Sequence, residues 1–293
     1  MRAVLRFLAL LAATLAFAGC SSATFTSLAY NNAALAYSNL GPMLTWMVDD
    51  YVDIGGQRED WVRVRIDRVL AWHRHEELPR YRALLETMLA KSARPFVVDD
   101  IAAHQRELRA AYHRVLAQVL PDTAEFMAGM ESGDIEHMER KFAEDNKRFV
   151  RESVRGTPEE RRERRVKRFA GHLESWVGRL TPEQHQIIAD RYGELRDVTE
   201  EFMGERRYRQ SELLGLARSR PPRTQLEAGL KRLLVETDTW RRPEYAAKLR
   251  ERDAKLHAII ADLSATLTDE QRARLQERIR RFLGDISTLT AST

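Results

Sequence analysis

Apolar residues recur at three- and four-residue steps along most of this chain, and that period admits helices and little else. Val62, Ile66, Val69 and Leu70 form one stripe; Ile135, Met138, Phe142 and Phe149 form another. Val166, Phe169, Leu173, Trp176, Val177 and Leu180 repeat the pattern, as do Leu275, Ile279, Phe282, Leu283 and Ile286. Arg, Lys, Glu and Asp fill the positions between, so each stripe faces a partner helix while the charges face water. Strand-like alternation is almost absent, and 14 glycines and 9 prolines in 293 residues are too few for a turn-rich sheet protein. The pattern predicts an all-α fold, an elongated multi-helix bundle of roughly eight to ten helices with short joints.

Joints are marked by Gly55-Gly56, Pro79, Arg94-Pro95, Pro121-Asp122, Gly156-Thr157-Pro158 and the run Arg218-Ser219-Arg220-Pro221-Pro222. Between the last two, residues 182–217 read as one helix of about 50 Å at the α-helical rise. Around 205–210 that stretch is polar on every face, so it is expected to protrude or kink there. Gly193, Gly204 and Gly215 lie along it at even spacing, which reads as chance plus local bending.

The first twenty residues concern location. Arg2 and Arg6 precede an apolar run, 7–18, that is too short to span a bilayer, and Phe17-Ala18-Gly19-Cys20 follows. The arrangement resembles a bacterial lipoprotein signal, with Phe17 where such signals usually carry Leu. The alternative is an ordinary secretory peptide whose mature chain keeps a free thiol. The resemblance implies a signal peptide over 1–19, lipidation of Cys20, a tether over 20–27, and one helical domain over 28–293 with a sub-boundary near 156. Two or more acyl chains, palmitate among them, would anchor the protein firmly. Ser21 after the cysteine favours the periplasmic face of the outer membrane over inner-membrane retention. Cys20 is the only cysteine, so no disulfide staples the fold. Loss of Arg2 and Arg6 lowers the formal charge from +4 to +2, leaving a balanced but densely charged chain.

Two short stretches match each other: Leu180-Thr181-Pro182-Glu183-Gln184 and Leu267-Thr268-Asp269-Glu270-Gln271. In each, Thr suits the N-cap, Gln at N3 can reach back to the Thr amide, and the acidic residues suit the helix dipole. Pro182 falls at N1, where its missing N–H costs nothing. Thr157-Pro158-Glu159-Glu160 and Asp122-Thr123-Ala124-Glu125 follow the same capping logic. Paired Leu-Thr-x-x-Gln motifs resemble those of the Spy and CpxP type of periplasmic stress proteins, which are all-helical. That resemblance implies an ATP-independent chaperone-like role.

A second resemblance covers more residues. Asn39-Leu40, Trp46, Asp49-Asp50-Tyr51-Val52-Asp53, Gln57-Arg58 and Trp72-His73-Arg74-His75-Glu76-Glu77-Leu78-Pro79 resemble an uncharacterised family of bacterial lipoproteins, domain of unknown function 6279. It implies a helical envelope protein and brings no catalytic residues.

Candidate chemistry is sparse. His73 and Glu77 share a helix face, but His75 points about 200° away, so a structural helix end before Pro79 is the expectation and no metal is. His104 and His113 do not form a ligand pair. Asp49, Asp50 and Asp53 form an acidic cluster near Trp46 and Tyr51, read as an acidic helix end; a cell-wall enzyme would need converging ionisable groups in a cleft, for example around Asp49, Asp50 and His73. There is no nucleophile elbow or phosphate-binding glycine loop, and no cofactor is expected. The strongest charge run holds Arg161, Arg162, Arg164, Arg165 and Arg168 beside the apolar Val166 and Phe169. A signal segment argues against nucleic acid, so the run reads as a solvated basic face able to dock acidic headgroups or an acidic client. The expected function is non-enzymatic: a lipid-anchored body that binds envelope proteins or unfolded chains. A structural adaptor with one specific partner is the alternative.

Overall fold

The computed structural model describes Tyr37 and residues 39–291. The signal segment, Cys20 and the tether lie outside the described residues. Among these, 85% are helical, and no strand occurs. The helices are α1 (Leu40–Val52), α2 (Gln57–Trp72), α3 (Leu78–Lys91), α4 (Val98–Ala128), α5 (Ser132–Phe149) and α6 (Pro158–Val177). They continue as α7 (Pro182–Ile187), α8 (Thr199–Ser219), α9 (Arg223–Leu234), α10 (Pro243–Ala265) and α11 (Asp269–Ala291). A π turn, His73–Glu77, joins α2 to α3 without a break, and counting that pair as one gives ten helices. The all-α multi-helix reading therefore holds.

The chain forms two compact units, each assembled from three separate segments. The first takes residues up to 77, 110–151 and 202–241; the second takes 78–109, 152–201 and 242 onward. Helix α4 thus gives its opening turns to the second unit and the remainder to the first.

In the first unit, α1 buries Leu40, Leu44, Val48, Tyr51 and Val52, the four-residue rhythm of its sequence. It stops at Asp53, whose left-handed backbone (φ 49°) returns its N–H to Asp49 O at 2.8 Å. Gly56 then turns into α2 at a φ of +56°, which a side chain would strain. Leu116, Leu120 and Ala124 of α4, Phe142 of α5, and Leu226 and Leu230 of α9 complete the core.

Several sequence expectations fail for physical reasons. Pro121 does not mark a joint; it lies inside α4. Leu116, Leu120, Ala124 and Met127 keep one buried stripe across it, and that burial outweighs the roughly 3 kcal/mol a helix-interior proline costs. Thr123 accordingly caps nothing and donates to Val119 O at 2.8 Å. Nor does a helix end before Pro79, because the π turn reroutes the ladder just ahead of it. The stretch 182–217 is not one helix. A second π turn, Ile188–Tyr192, leads to Gly193, where an added Cβ would sit 2.2 Å from Ala189 O and 2.6 Å from Arg162 Nε. Gly204 and Gly215 have open space around them. Around 205–210, polarity serves burial rather than protrusion: Arg206 Nε donates to Asn146 Oδ1 at 2.8 Å, and Asn146 Nδ2 donates to Gln210 Oε1 at 2.7 Å. Both α8 residues are buried.

The same unit buries ionisable groups in pairs. Glu77, wholly buried, accepts both Arg114 Nε (2.6 Å) and Nη2 (2.9 Å). Tyr51 donates to Asp145, which also holds Arg148. Burial and that carboxylate push the Tyr51 phenol up. Tyr37 donates to Leu70 O at 3.1 Å and lies 3.1 Å from His73 Nδ1. With the hydroxyl proton on Leu70, His73 carries its own proton on Nδ1.

Burial lowers His73 to about 4. A histidine held neutral stabilises the fold fully above its unfolded value near 6.5 and loses that contribution as pH falls through 4. Urea unfolding from pH 7 to pH 4 is expected to lose about 3 kcal/mol through this group, and His73→Gln should remove that part of the slope. An unchanged slope in the variant would contradict the assignment.

Candidate functional site

The matched stretches meet in the second unit. Thr181 caps α7, with Gln184 N donating to its Oγ1 at 3.2 Å and Thr181 N donating to Gln184 Oε1 at 3.0 Å. Thr268 and Gln271 repeat this at the start of α11, at 3.2 and 3.1 Å. Each glutamine then reaches the other: Gln184 Nε2 donates to Gln271 Oε1 at 2.8 Å, and Gln271 Nε2 donates to Gln184 Oε1 at 2.9 Å. The second N–H of each amide goes to the carbonyl two residues ahead of the other motif's threonine. Gln184 donates to Thr266 O at 3.0 Å, and Gln271 to Arg179 O at 2.8 Å. Every donor and both lone pairs of each carboxamide are used, with only 1% and 5% of the two residues exposed. Leu180 is buried beside the pair and Leu267 is half-buried. This local two-fold arrangement makes the two motifs one structural node, in which no polar atom of either carboxamide is left over.

The basic run lies on α6, opened by the Thr157–Glu160 capping box. Its arginines are engaged with backbone and carboxylate rather than displayed as a bare charged face. Arg161 Nε and Arg165 Nη1 both donate to Asp197 Oδ2, at 3.0 and 2.7 Å. Arg161 Nη1 also meets Val154 O and Gly156 O. Arg162 Nη2 donates to Ala189 O at 2.7 Å, Arg164 to Arg155 O, and Arg168 Nε to Arg164 O at 3.4 Å. Asp197 accepts from Thr199 N at 3.0 Å and from its hydroxyl at 2.6 Å. Burial pushes Asp197 up, but the Thr199 hydrogen bonds and the two guanidiniums outweigh it and hold the carboxyl below its usual range. Arg161, Arg162 and Arg165 therefore pin the break that separates the π turn from α8.

Asp50, Asp53, His73 and His75 have separate surroundings. Asp50 pairs with Lys141 at 2.5 Å, Asp53 is the exposed cap of α1, and His73 faces Tyr37 while His75 is exposed. Among the described residues, no three His, Cys, Asp or Glu side chains could share a metal ion. No described helix is long and apolar enough to cross a membrane.

One surface escaped the sequence reading. Tyr208 of α8 and Trp240, just beyond the Thr237–Thr239 turn, have ring centroids 5.0 Å apart. Trp240 Nε1 donates to Arg232 O at 3.1 Å, and Arg232 Nη2 reaches the Tyr208 hydroxyl at 3.3 Å. Arg209 and Arg241 each lie 6.0 Å from the Trp240 ring, and Glu205 accepts Arg241 at 2.6 and 3.2 Å. Tyr208 is 37% exposed, and Phe202, on the same helix, 39%. Separation along the chain hid this group; the only local signal was aromatics among the arginines of α8.

The model of a family described as Family of unknown function (DUF6279) matches residues 50–246. The match covers all of α2–α9 and the Leu180–Gln184 motif but ends ahead of the second motif. No curated protein and no solved structure is significantly similar to the chain.

The glutamine node makes a coupled prediction. Gln184→Ala and Gln271→Ala should each cost about 3 kcal/mol, because each leaves a buried amide unsatisfied. The double variant should cost at least 1 kcal/mol less than their sum, measured by denaturant unfolding, while strict additivity would contradict the reciprocal pairing.

Proposed function

We propose that this chain, which belongs to the DUF6279 family of unknown function, is a lipid-anchored envelope protein that binds polypeptides and carries out no chemistry of its own. The observation that carries this reading is the Tyr208–Trp240 surface with its arginines. Tyr, Trp and Arg are the side chains that dominate binding energy at protein interfaces, because they combine large rigid area with hydrogen-bonding ends. Here the rings and guanidiniums are already ordered against one another, so a partner would meet a pre-organised patch. The basic run on α6 is a second candidate; its guanidiniums serve carbonyls and Asp197, as Arg241 of the patch serves Glu205.

Location rests on the sequence around Cys20: cleavage after Gly19, acylation of the thiol and retention at the periplasmic face of the outer membrane. Two modes of binding fit the patch. The Leu-Thr-x-x-Gln resemblance favours holding many unfolded clients without ATP. An adaptor role favours one folded partner.

A photoreactive amino acid placed at Tyr208, expressed in cells, separates them. Many adducts would support client holding and one dominant adduct an adaptor. Crosslinking no greater than from an exposed position such as Arg250 would overturn the proposal. Metabolic labelling with palmitate, abolished by Cys20→Ala, is the expected result for the anchor.

A further inference from the structure

Core packing accounts for one side of α1 and leaves the other unexplained. Leu40, Leu44, Val48, Tyr51 and Val52 are buried. Trp46, pointing away from them, is 63% exposed, the highest value for any large apolar side chain among the described residues. Pro42, one turn ahead of it, is exposed, and Met43 and Met47 beside it are half-buried. One and two turns further along the same stripe come Asp49, Asp50 and the exposed Asp53. This outer face is thus apolar at the start of the helix and acidic at its end.

The sequence that leads to this face has its own anomaly. The chain is 31% charged, yet residues 21–48 contain no Asp, Glu, Lys or Arg. All 48 Lys and Arg lie outside residues 7–57. Burial explains the inward residues of α1 but not an exposed tryptophan at the end of an uncharged run. That run joins the fold at Tyr37, which is 4% exposed and donates to Leu70 O at 3.1 Å. Trp46 lies only about 9 Å beyond the start of α1 at the helical rise. In the other direction, the chain between Cys20 and Tyr37 can span at most about 60 Å.

We propose that the start of α1 docks on the lipid–water interface of the membrane that holds Cys20, with Trp46 as the side chain that enters it. The proposal rests on the acylation of Cys20. Indole suits that boundary because it joins a large apolar ring to a single N–H donor. Tethering makes the contact intramolecular, at an effective concentration on the order of millimolar, so a patch too small to recruit a free protein can still hold. With no cation on α1, the contact depends on apolar insertion and not on headgroup charge. Asp49, Asp53 and Asp50, the last paired with Lys141 at 2.5 Å, mark the end of the helix that stays in water, because carboxylates are costly in the bilayer. This contact is distinct from the Tyr208–Trp240 surface.

The test uses the lipidated chain, purified from bacterial membranes and placed in phosphatidylcholine nanodiscs with plain or brominated acyl chains. Intact mass reports the acyl groups on the protein. Brominated lipid quenches indoles that reach the acyl region, and iodide in solution quenches those that face water. Brominated lipid should lower the fluorescence of the chain, and Trp46→Phe, a change at an exposed position, should lose most of that drop. Iodide should quench the two chains alike. An equal bromolipid drop in both chains, or an iodide-quenched fraction that Trp46→Phe removes, would overturn the docking, while acyl groups in the mass would leave the anchor standing. If neither quencher reaches Trp46, the chain's own segment covers it and the docking is equally overturned. A Trp46-dependent drop that appears only when phosphatidylglycerol is added would also contradict the proposal, because α1 has no cation to read that headgroup. A mass without acyl groups would remove the anchor and the docking together.

Discussion

Two glutamines hold the second unit at its corners. A chain without disulfides, whose compact units are each drawn from three separate segments, must fix its helix entries by non-covalent means. Helix faces alone permit sliding and rotation, because apolar contacts are non-directional. Gln184 and Gln271 supply the direction. Each amide serves its own helix start, the other amide and a carbonyl beyond it, so α7 and α11 can begin at only one relative position. A network in which every member is satisfied rigidifies a core, whereas the loss of one member leaves buried groups unpaired.

The same economy governs the arginines. A charge-dense helical protein is easily pictured as an apolar core in a coat of salt bridges, yet exposed pairs contribute little. Here the consequential guanidiniums reach inward or across breaks: Arg114 to buried Glu77, Arg206 to Asn146, Arg161 and Arg165 to Asp197. Places where helices stop expose carbonyls that need donors, and arginine carries several donors on a long stem. Charge on α6 is thereby converted into chain geometry.

What the sequence reveals follows from the range of each signal. Apolar stripes and capping residues act over three or four positions, so α2, α5, α6 and α11 and both Thr-Gln starts were readable. Pro121 and Pro79 misled because tertiary burial and a π turn overrode a local rule. The polar faces of α8 looked like a protrusion because Asn146, which bonds both Arg206 and Gln210, lies far away in sequence. A solvated arginine run and one bound to carbonyls read identically. Tyr208 meets Trp240 only after folding. Fold class was thus written in local patterns, while the candidate surfaces depended on contacts between distant segments.

The family match extends over parts of both units. A binding role suits a molecule whose ionisable groups are largely occupied with one another. The central physical claim is that buried polar joints, led by the glutamine pair, fix this scaffold. Hydrogen exchange of the side-chain carboxamides, followed by ¹⁵N NMR, tests it most directly. The four N–H protons of Gln184 and Gln271 should exchange as slowly as the backbone amides within α6 and α11. Exchange at the rate of a free glutamine side chain, with those backbone amides still protected, would contradict the account.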